Sequence, residues 1–201
     1  MQLTISHNFP DVARRLDSMR QEVRDKALVS AVNKTIEQGR TQMIREIASD
    51  YMVTASYVRE RLRIKRASAR QGRLQIEATL DGSNGKKRSA NMIRFLERKT
   101  TMAEARRRGK AGTLNQLFFK VKRSGGKKAI AGAFIGNKGR TVFMRDGKAR
   151  LPIHAVQTID VPQMFNQKRI NAAVVAALIA KFPAIFEREA AFYLRRFGEG
   201  K

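Results

Sequence analysis

Leu74-Gln75-Ile76-Glu77-Ala78-Thr79-Leu80 alternates apolar and polar residues with a period of two. A strand with one face in a core and one in water reads this way, and a helix does not. The run ends at Asp81-Gly82-Ser83-Asn84-Gly85, a turn composition. Upstream of it the apolar spacing is helical. After Pro10, Asp11 is a candidate N-cap, and Val12, Leu16, Met19, Val23 and Ala27 follow at i, i+3/i+4, continued by Val32, Ile36, Gly39, Met43 and Ile47. Asp11 to about Ala48 therefore predicts one long helix, or two joined near Ser30. Unbroken, it would run roughly 55 Å, a length that points to contact with a neighbouring subunit. Thr54 is expected to cap a shorter helix with Tyr57, Val58 and Leu62 as apolar contacts, made basic by Arg59, Arg61, Arg63, Lys65 and Arg66.

Downstream of the turn, Lys86 to Gly112 reads as a basic excursion in which Met92, Ile93, Phe95 and Leu96 suit either a strand or a short helix. Strands are expected over Leu117 to Arg123, over Ala129 to Ile135 after a pause at Ser124-Gly125-Gly126, and over Thr141 to Arg145 after the loop Gly136-Asn137-Lys138-Gly139. Asp146-Gly147 predicts a two-residue hairpin turn with Lys148 to Ile153 as the returning strand. Val161-Pro162 opens a last helix whose apolar face carries Met164, Phe165, Val174, Val175, Leu178, Phe182, Ile185, Phe186 and Leu194, and Pro183 should kink or divide it. The order of elements gives an α+β fold: long N- and C-terminal helices packed on a small antiparallel β-sheet, with a basic loop excursion. The expected organisation is a single domain over residues 1–201, with a helical part at 11–66, a sheet at 74–159 carrying basic loops at 81–116, and a C-terminal helix at 162–197.

The charge balance bounds the function. Lys and Arg number 42 against 17 Asp and Glu, for a net charge of +25 and a pI of about 11.4. Between Lys86 and Arg150 about twenty bases face only Glu97, Glu104 and Asp146. Such an excess calls for polyanions or acidic neighbours. The candidate DNA or acidic-partner contacts are Lys86, Lys87, Arg88, Arg106, Arg107, Arg108, Lys110, Lys120, Lys122, Arg123, Lys127 and Lys128. Contacts of this kind bind phosphates without reading sequence and weaken steeply with salt. Phe118-Phe119-Lys120-Val121-Lys122-Arg123 mixes rings and bases as single-strand binders do. Alternation favours core packing instead, with Phe119 and Val121 on one face and Lys120 and Lys122 on the other.

Catalytic chemistry finds no constellation. There is no cysteine, and the two histidines, His7 and His154, lack a second ligand at metal spacing. His154 reads as a loop or partly buried residue. In Ser124-Gly125-Gly126-Lys127-Lys128, Val121 stands where the first glycine of a phosphate loop belongs and Lys128 where its hydroxyl belongs. The carboxylates are scattered singly along helices, unlike an acid/base pair. No catalytic, cofactor or metal site is expected, and the chain is read as not an enzyme. Met1 to Pro10 lacks the features of a signal peptide and no stretch approaches ~18 uncharged apolar residues, so a soluble protein without a membrane partner is expected, made in a cytoplasm.

Three stretches together carry a family resemblance. They are Ala27-Leu28-Val29-Ser30-Ala31-Val32-Asn33-Lys34-Thr35 running into Val58 to Ala67; Ile130-Ala131-Gly132-Ala133-Phe134-Ile135 with Val142-Phe143-Met144-Arg145 and Gly147 to Ile153; and Val156 to Pro162 leading into the last helix. In order and content they resemble the minor tail protein Z family, the tail completion proteins of lambda-type long-tailed phages. The resemblance implies a structural virion protein that completes the tail at its head-proximal end, helps join tail to head and positions the genome end for ejection. It implies no cofactor. The implied partners are further copies of itself in a hexameric ring, the tail terminator, tail tube and neck proteins, and the phage DNA end, in a particle assembled in the host bacterial cytoplasm. Gly132, Phe134, Ile135, Arg145, Arg150 and Pro152 are the candidate intersubunit contacts, although Gly147 and Pro152 also suit plain hairpin geometry. The alternative reading is a basic nucleic-acid-binding protein acting in the host cell.

Overall fold

The computed structural model describes residues 2–3, 20–70, 73–75, 77–82, 89–97, 117–147 and 149–197. In chain order the elements are β1 (Gln2–Leu3), α1 (Gln21–Asp50), α2 (Ala55–Arg59), β2 (Arg63–Lys65), β3 (Ser68–Arg70), β4 (Arg73–Gln75), β5 (Thr79–Asp81) and β6 (Ser89–Asn91). A 3-10 turn, Met92–Phe95, precedes β7 (Leu117–Phe119), β8 (Lys128–Ile130), β9 (Phe134–Gly136), β10 (Thr141–Arg145), β11 (Ile153–Ala155), β12 (Gln157–Ile159), α3 (Val161–Phe165) and α4 (Lys168–Phe197). The α+β architecture with long helices near both ends is the one the periodicity predicts.

Helices α1 and α4 have 30 residues each, about 45 Å, and lie antiparallel. Each is the other's cover, so the length of the described part of α1 is answered within its own chain. Of the predicted stripe, Val23, Ala27, Ile36, Gly39, Met43 and Ile47 are buried, while Val32 is half-buried and Ala31 beside it takes the inward place. Midway, Gly39 lets the helices close up: a Cβ there would stand 3.0 Å from Leu178 Cδ2. At one end Val23, Ala27 and Ala31 meet Ile185, Phe186 and Ala190. At the other, Met43 and Ile47 join Ile170, Val174, Tyr57, Leu80, Phe95 and Phe165 in the main core. Ser30 Oγ and Lys34 Nζ donate to the buried Glu189 carboxylate at 2.7 and 2.6 Å. Burial alone would raise the pKa of Glu189, but these hydrogen bonds and the charge of Lys34 outweigh it and hold the group below its ordinary 4.5.

Pro183 does not divide α4. Leu178 on one side of it and Ile185 and Phe186 on the other are all packed into the hydrophobic cores, which keeps both halves on one axis. The division falls earlier, at Asn166-Gln167, between α3 and α4. By length and composition α4 could cross a membrane, with a mean hydropathy of 1.6 over its most apolar 18-residue window; in this fold it is the partner of α1.

The strands are short and form several small sheets rather than one. Orders are β1-β5-β2, β11-β10-β9, β12-β6, β3-β4 and β7-β8, all antiparallel. The alternating run at 74–80 is not one strand. β2 and β3 lead out and β4 and β5 return, with Lys65 opposite Thr79 and Ser68 opposite Gln75. The two pairings are offset by one residue in register, the mismatch of a bulge. The physical cause is Asn33 on α1: its Nδ2 donates to Ala67 O at 3.0 Å and its Oδ1 accepts from Ala67 N at 2.9 Å. Ala67's backbone is thereby taken out of the ladder. Arg63 and Lys65 belong to this hairpin and not to the basic helix expected there, although Thr54 does cap α2, accepting from Tyr57 N at 3.3 Å.

Three further expectations are corrected. The run Leu117 to Arg123 is strand only over β7, because beyond it the backbone pairs elsewhere: Lys120 N donates to Phe95 O and Met52 N to Val121 O. Ala129 to Ile135 is broken at Gly132, whose φ of +71 turns the chain from β8 into β9; Gly is the residue that adopts this without strain. Asp146-Gly147 is not a two-residue turn. Arg145 pairs with Ile153 and Met144 with His154, so the loop spans 146–152, and the returning strand is Ile153–Ala155 rather than 148–153. Gly147 does not take the positive φ that a tight turn of this kind needs, and Asp146 N reaches Pro152 O at 3.4 Å across the wider loop.

Candidate functional site

Two surfaces at the sheet end of the helix pair gather the described candidate residues. The first is the β7–β8 hairpin. Phe119 is buried against Leu117, Ala133 and Val142, and Val121 packs on the main core, as alternation requires. Phe118 faces outward and is 46 % exposed. Lys122, Arg123, Lys127 and Lys128 are exposed and Lys120 is half-buried. The five bases play different parts. Arg123 is committed to α1: its Nε donates to Ala48 O at 2.8 Å and its backbone N to Asp50 O at 2.9 Å, placing a cation on the carbonyl end of a helix whose own last turn has none. Lys127 Nζ lies 2.7 Å from Glu97 Oε1, and Lys122 Nζ sits 5.8 Å from the centre of the Tyr51 ring. Among the described residues no ion pair reaches Lys120, Lys122 or Lys128.

The second surface is the β9–β10–β11 sheet. Phe134 and Phe143 stack with centroids 6.0 Å apart, and the Arg145 guanidinium lies 4.8 Å from the Phe134 ring centre while donating to Arg150 O at 3.0 Å. Ile135 turns inward against the Phe119 and Val142 cluster. Leu151 is 66 % exposed and Ile153 38 %, on either side of Pro152, which is itself exposed. The fold thus brings Phe134, Arg145, Arg150 and Pro152 together, sets Gly132 at the corner beside them, and places Ile135 partly in the core. His154 is an exposed strand residue, not a loop or buried one, and its Nδ1 is 2.6 Å from Asp146 Oδ1. Lys86, Lys87, Arg88, Arg106, Arg107, Arg108 and Lys110 lie outside the described residues.

A polar junction that periodicity does not reveal ties α2 to the start of α3. Asp160, 2 % exposed, caps α3 through Val161 N at 2.7 Å and accepts from Tyr57 Oη at 2.7 Å and Arg61 Nε at 3.3 Å. Gln163 Oε1 in turn accepts from Asp160 N at 3.0 Å, completing a capping box. Burial, then the hydrogen bond and charge of Asp160, push the Tyr57 hydroxyl up to about 12 against the opposing pull of Arg94 and Arg61; both guanidinium groups lie within 3.7 Å of its ring centre. Asn91 does similar work for β10, its side chain bonding Val142 N at 2.9 Å and Val142 O at 3.2 Å. The sequence Asp160-Val161-Pro162-Gln163 carries the cap signal; Tyr57 and Arg61, a hundred residues away, carry none.

A groove of about 560 Å³ lies farther along the helices, lined by Lys26, Ser30, Lys34, Arg66, Arg188 and Tyr193 among others. Its cations are largely answered: Lys26 by Glu22, Lys34 by Glu189 and Arg66 by Glu37, each at 2.6 Å. Among the described residues no group of three or more His, Cys, Asp or Glu could hold a metal ion.

Many of the described polar clusters cap helices or fix strands, and the family comparison states what kind of protein carries them. The family model described as prophage minor tail protein Z (GPZ) matches residues 10–199. The chain belongs to that family of phage tail proteins, with a structural role in the tail of the virion among other tail proteins. No curated protein and no solved structure matches it.

Proposed function

We propose that this chain completes the phage tail at its head-proximal end, joining the tail to the head and positioning the genome end for ejection, as one of several copies in a ring. The observation that carries the reading is the family match across residues 10–199. The two surfaces support it. A ring of heterologous contacts needs two different patches on each copy. The β10–β11 connection, with Leu151, Pro152 and Ile153 exposed next to Arg150 and Ile153 paired with Arg145, offers one apolar patch with a basic rim. The face of α4 turned from α1 offers another: Ala172, Ala176, Ala180 and Ala184 are exposed at i, i+4 spacing, a flat strip on which a neighbour can lie close. Tail terminator, tube and neck proteins are the proposed heterologous partners, and the basic hairpin is turned to DNA or to their acidic surfaces.

Gold labelling of a tagged copy in purified virions tests the position: label at the head-proximal end of the tail is expected, and label elsewhere, or none, overturns it. Replacing Arg106, Arg107, Arg108 and Lys110 together with Ser separates the roles of that basic run. Particles that assemble but eject poorly assign it to the genome, blocked assembly assigns it to a protein neighbour, and undiminished infectivity removes both. The alternative, a nucleic-acid-binding role in the host cell, is favoured by the exposed Phe118 among lysines and predicts absence from the particle.

A further inference from the structure

We infer that the outer face of the β7–β8 hairpin is a binding site for single-stranded nucleic acid, with Phe118 as its base-stacking platform and Lys120 and Lys122 as its phosphate contacts. Two adjacent phenylalanines on a strand cannot both enter the core. Phe119 does, at 1 % exposure, and Phe118 is left at 46 %. A core-only strand at this position has no need of a second large ring, and a polar residue would cost nothing there. Across the ladder from Phe118 stands Ala129, exposed and small, so the strand opposite adds no bulk beside the ring. Phe118 makes no ring contact among the described residues.

The charges around it have the spacing of a backbone track. Lys120 and Lys122 follow Phe118 two and four residues on, steps of about 7 Å along an extended chain, of the order of the distance between successive phosphates of a stretched strand. Glu97, the acid that approaches this hairpin, is already bound to Lys127, and Arg123 is held by Ala48 O. Among the described residues no ion pair reaches Lys120 or Lys122, whose charges stand beside an open aromatic face. Duplex DNA can satisfy the lysines but keeps its bases stacked inside, and an acidic protein can satisfy them without using the ring. An unpaired strand uses both, because every base has a face to stack and stacking of this kind tolerates any sequence.

This inference deepens the proposed contact with the genome end, yet it concerns the isolated protein and not its position in the particle. The test is fluorescence anisotropy of the full chain with a labelled oligo-dT of about 15 nucleotides and with a blunt duplex of equal length. Phe118→Leu keeps an apolar side chain without a π face; it should weaken oligo-dT binding about tenfold and leave duplex binding within about twofold. Lys120→Ser with Lys122→Ser should weaken both and flatten the oligo-dT salt dependence by roughly 1.4 in log–log slope. Phe118→Trp should retain or improve oligo-dT binding, and circular dichroism melts establish that each variant is folded. Equal oligo-dT affinity for wild type and Phe118→Leu overturns the inference. So does an unchanged DNA affinity in a Phe118→Leu protein that no longer enters tails, since that outcome makes the face a protein dock. Head-proximal gold label with ring-independent binding defeats this inference alone; Phe118-dependent binding with no such label defeats only the tail-completion reading.

Discussion

The helix pair and the strand region of this protein are held together by different means. Along α1 and α4 the fit is between apolar side chains, with Gly39 against Leu178 and Phe186 among Val23, Ala27 and Ala31. In the strand region no described ladder exceeds three residue pairs, and their places are fixed by single polar side chains that reach in from elsewhere: Asn33 to Ala67, Asn91 to Val142, Arg123 to Ala48, Asp160 to Tyr57 and Arg61. The first kind of construction closes the seam itself to a partner and leaves only the outer faces of the helices for contact. The second leaves loops, rings and bases exposed while still fixing where they stand, which is what an assembly surface needs.

The sharpest way to break this contrast is to open the helix seam. Phe186→Ala removes a fully buried ring and should cost about 4 kcal/mol, read from urea unfolding; a loss below about 1 kcal/mol would mean the pair is not the stable half. Next, Asp160→Ala leaves Tyr57 and Arg61 without their acceptor and uncaps α3, for about 3 kcal/mol. The same junction has a pH signature. Because the folded state raises Tyr57 from its ordinary 10.0 to about 12, its contribution is complete below pH 10 and is lost as pH climbs through 12. Tyr57→Phe should flatten that alkaline decline, and an unchanged slope would remove Tyr57 from the account. Asn91→Ala strands the N–H of Val142, whose carbonyl keeps its bond from Val156 N, and should cost about 1 to 2 kcal/mol, with faster amide exchange at β10. The smallest effect on stability belongs to Leu151→Ser with Ile153→Ser: within about 0.5 kcal/mol, as exposed positions generally are, yet with reduced incorporation into tails. Normal incorporation would take the β10–β11 loop out of the interface.

The helix seam was legible from spacing alone, since burial over 23–47 follows the predicted stripe closely, and Thr141–Arg145 emerged at its predicted bounds. What stayed hidden was set by distant residues. No local pattern announces that Asn33 will interrupt a ladder 34 residues away, so the alternation at 74–80 reads as one strand when β4 and β5, two separate strands of the returning arm, share it. The turn at Asp146-Gly147 had the right residues, but pairing begins only at Ile153, and the wider loop follows from that register. At the candidate site the basic character of the β7–β8 hairpin was legible, as was the inward turn of Phe119. That Arg123 serves as a helix cap and Lys127 as a partner of Glu97 could not be read, because both depend on neighbours far apart in the chain.

The seam between α1 and α4 has a consequence for how chains of this kind can vary in length. Gly39 meets Leu178, Lys34 meets Glu189 and Asp50 meets Arg169, so position along one helix dictates position along the other. A one-turn insertion in either helix alone would throw every pair beyond it out of step. Related chains should therefore lengthen or shorten the two helices together, at matching points, while the loops around the strands change freely.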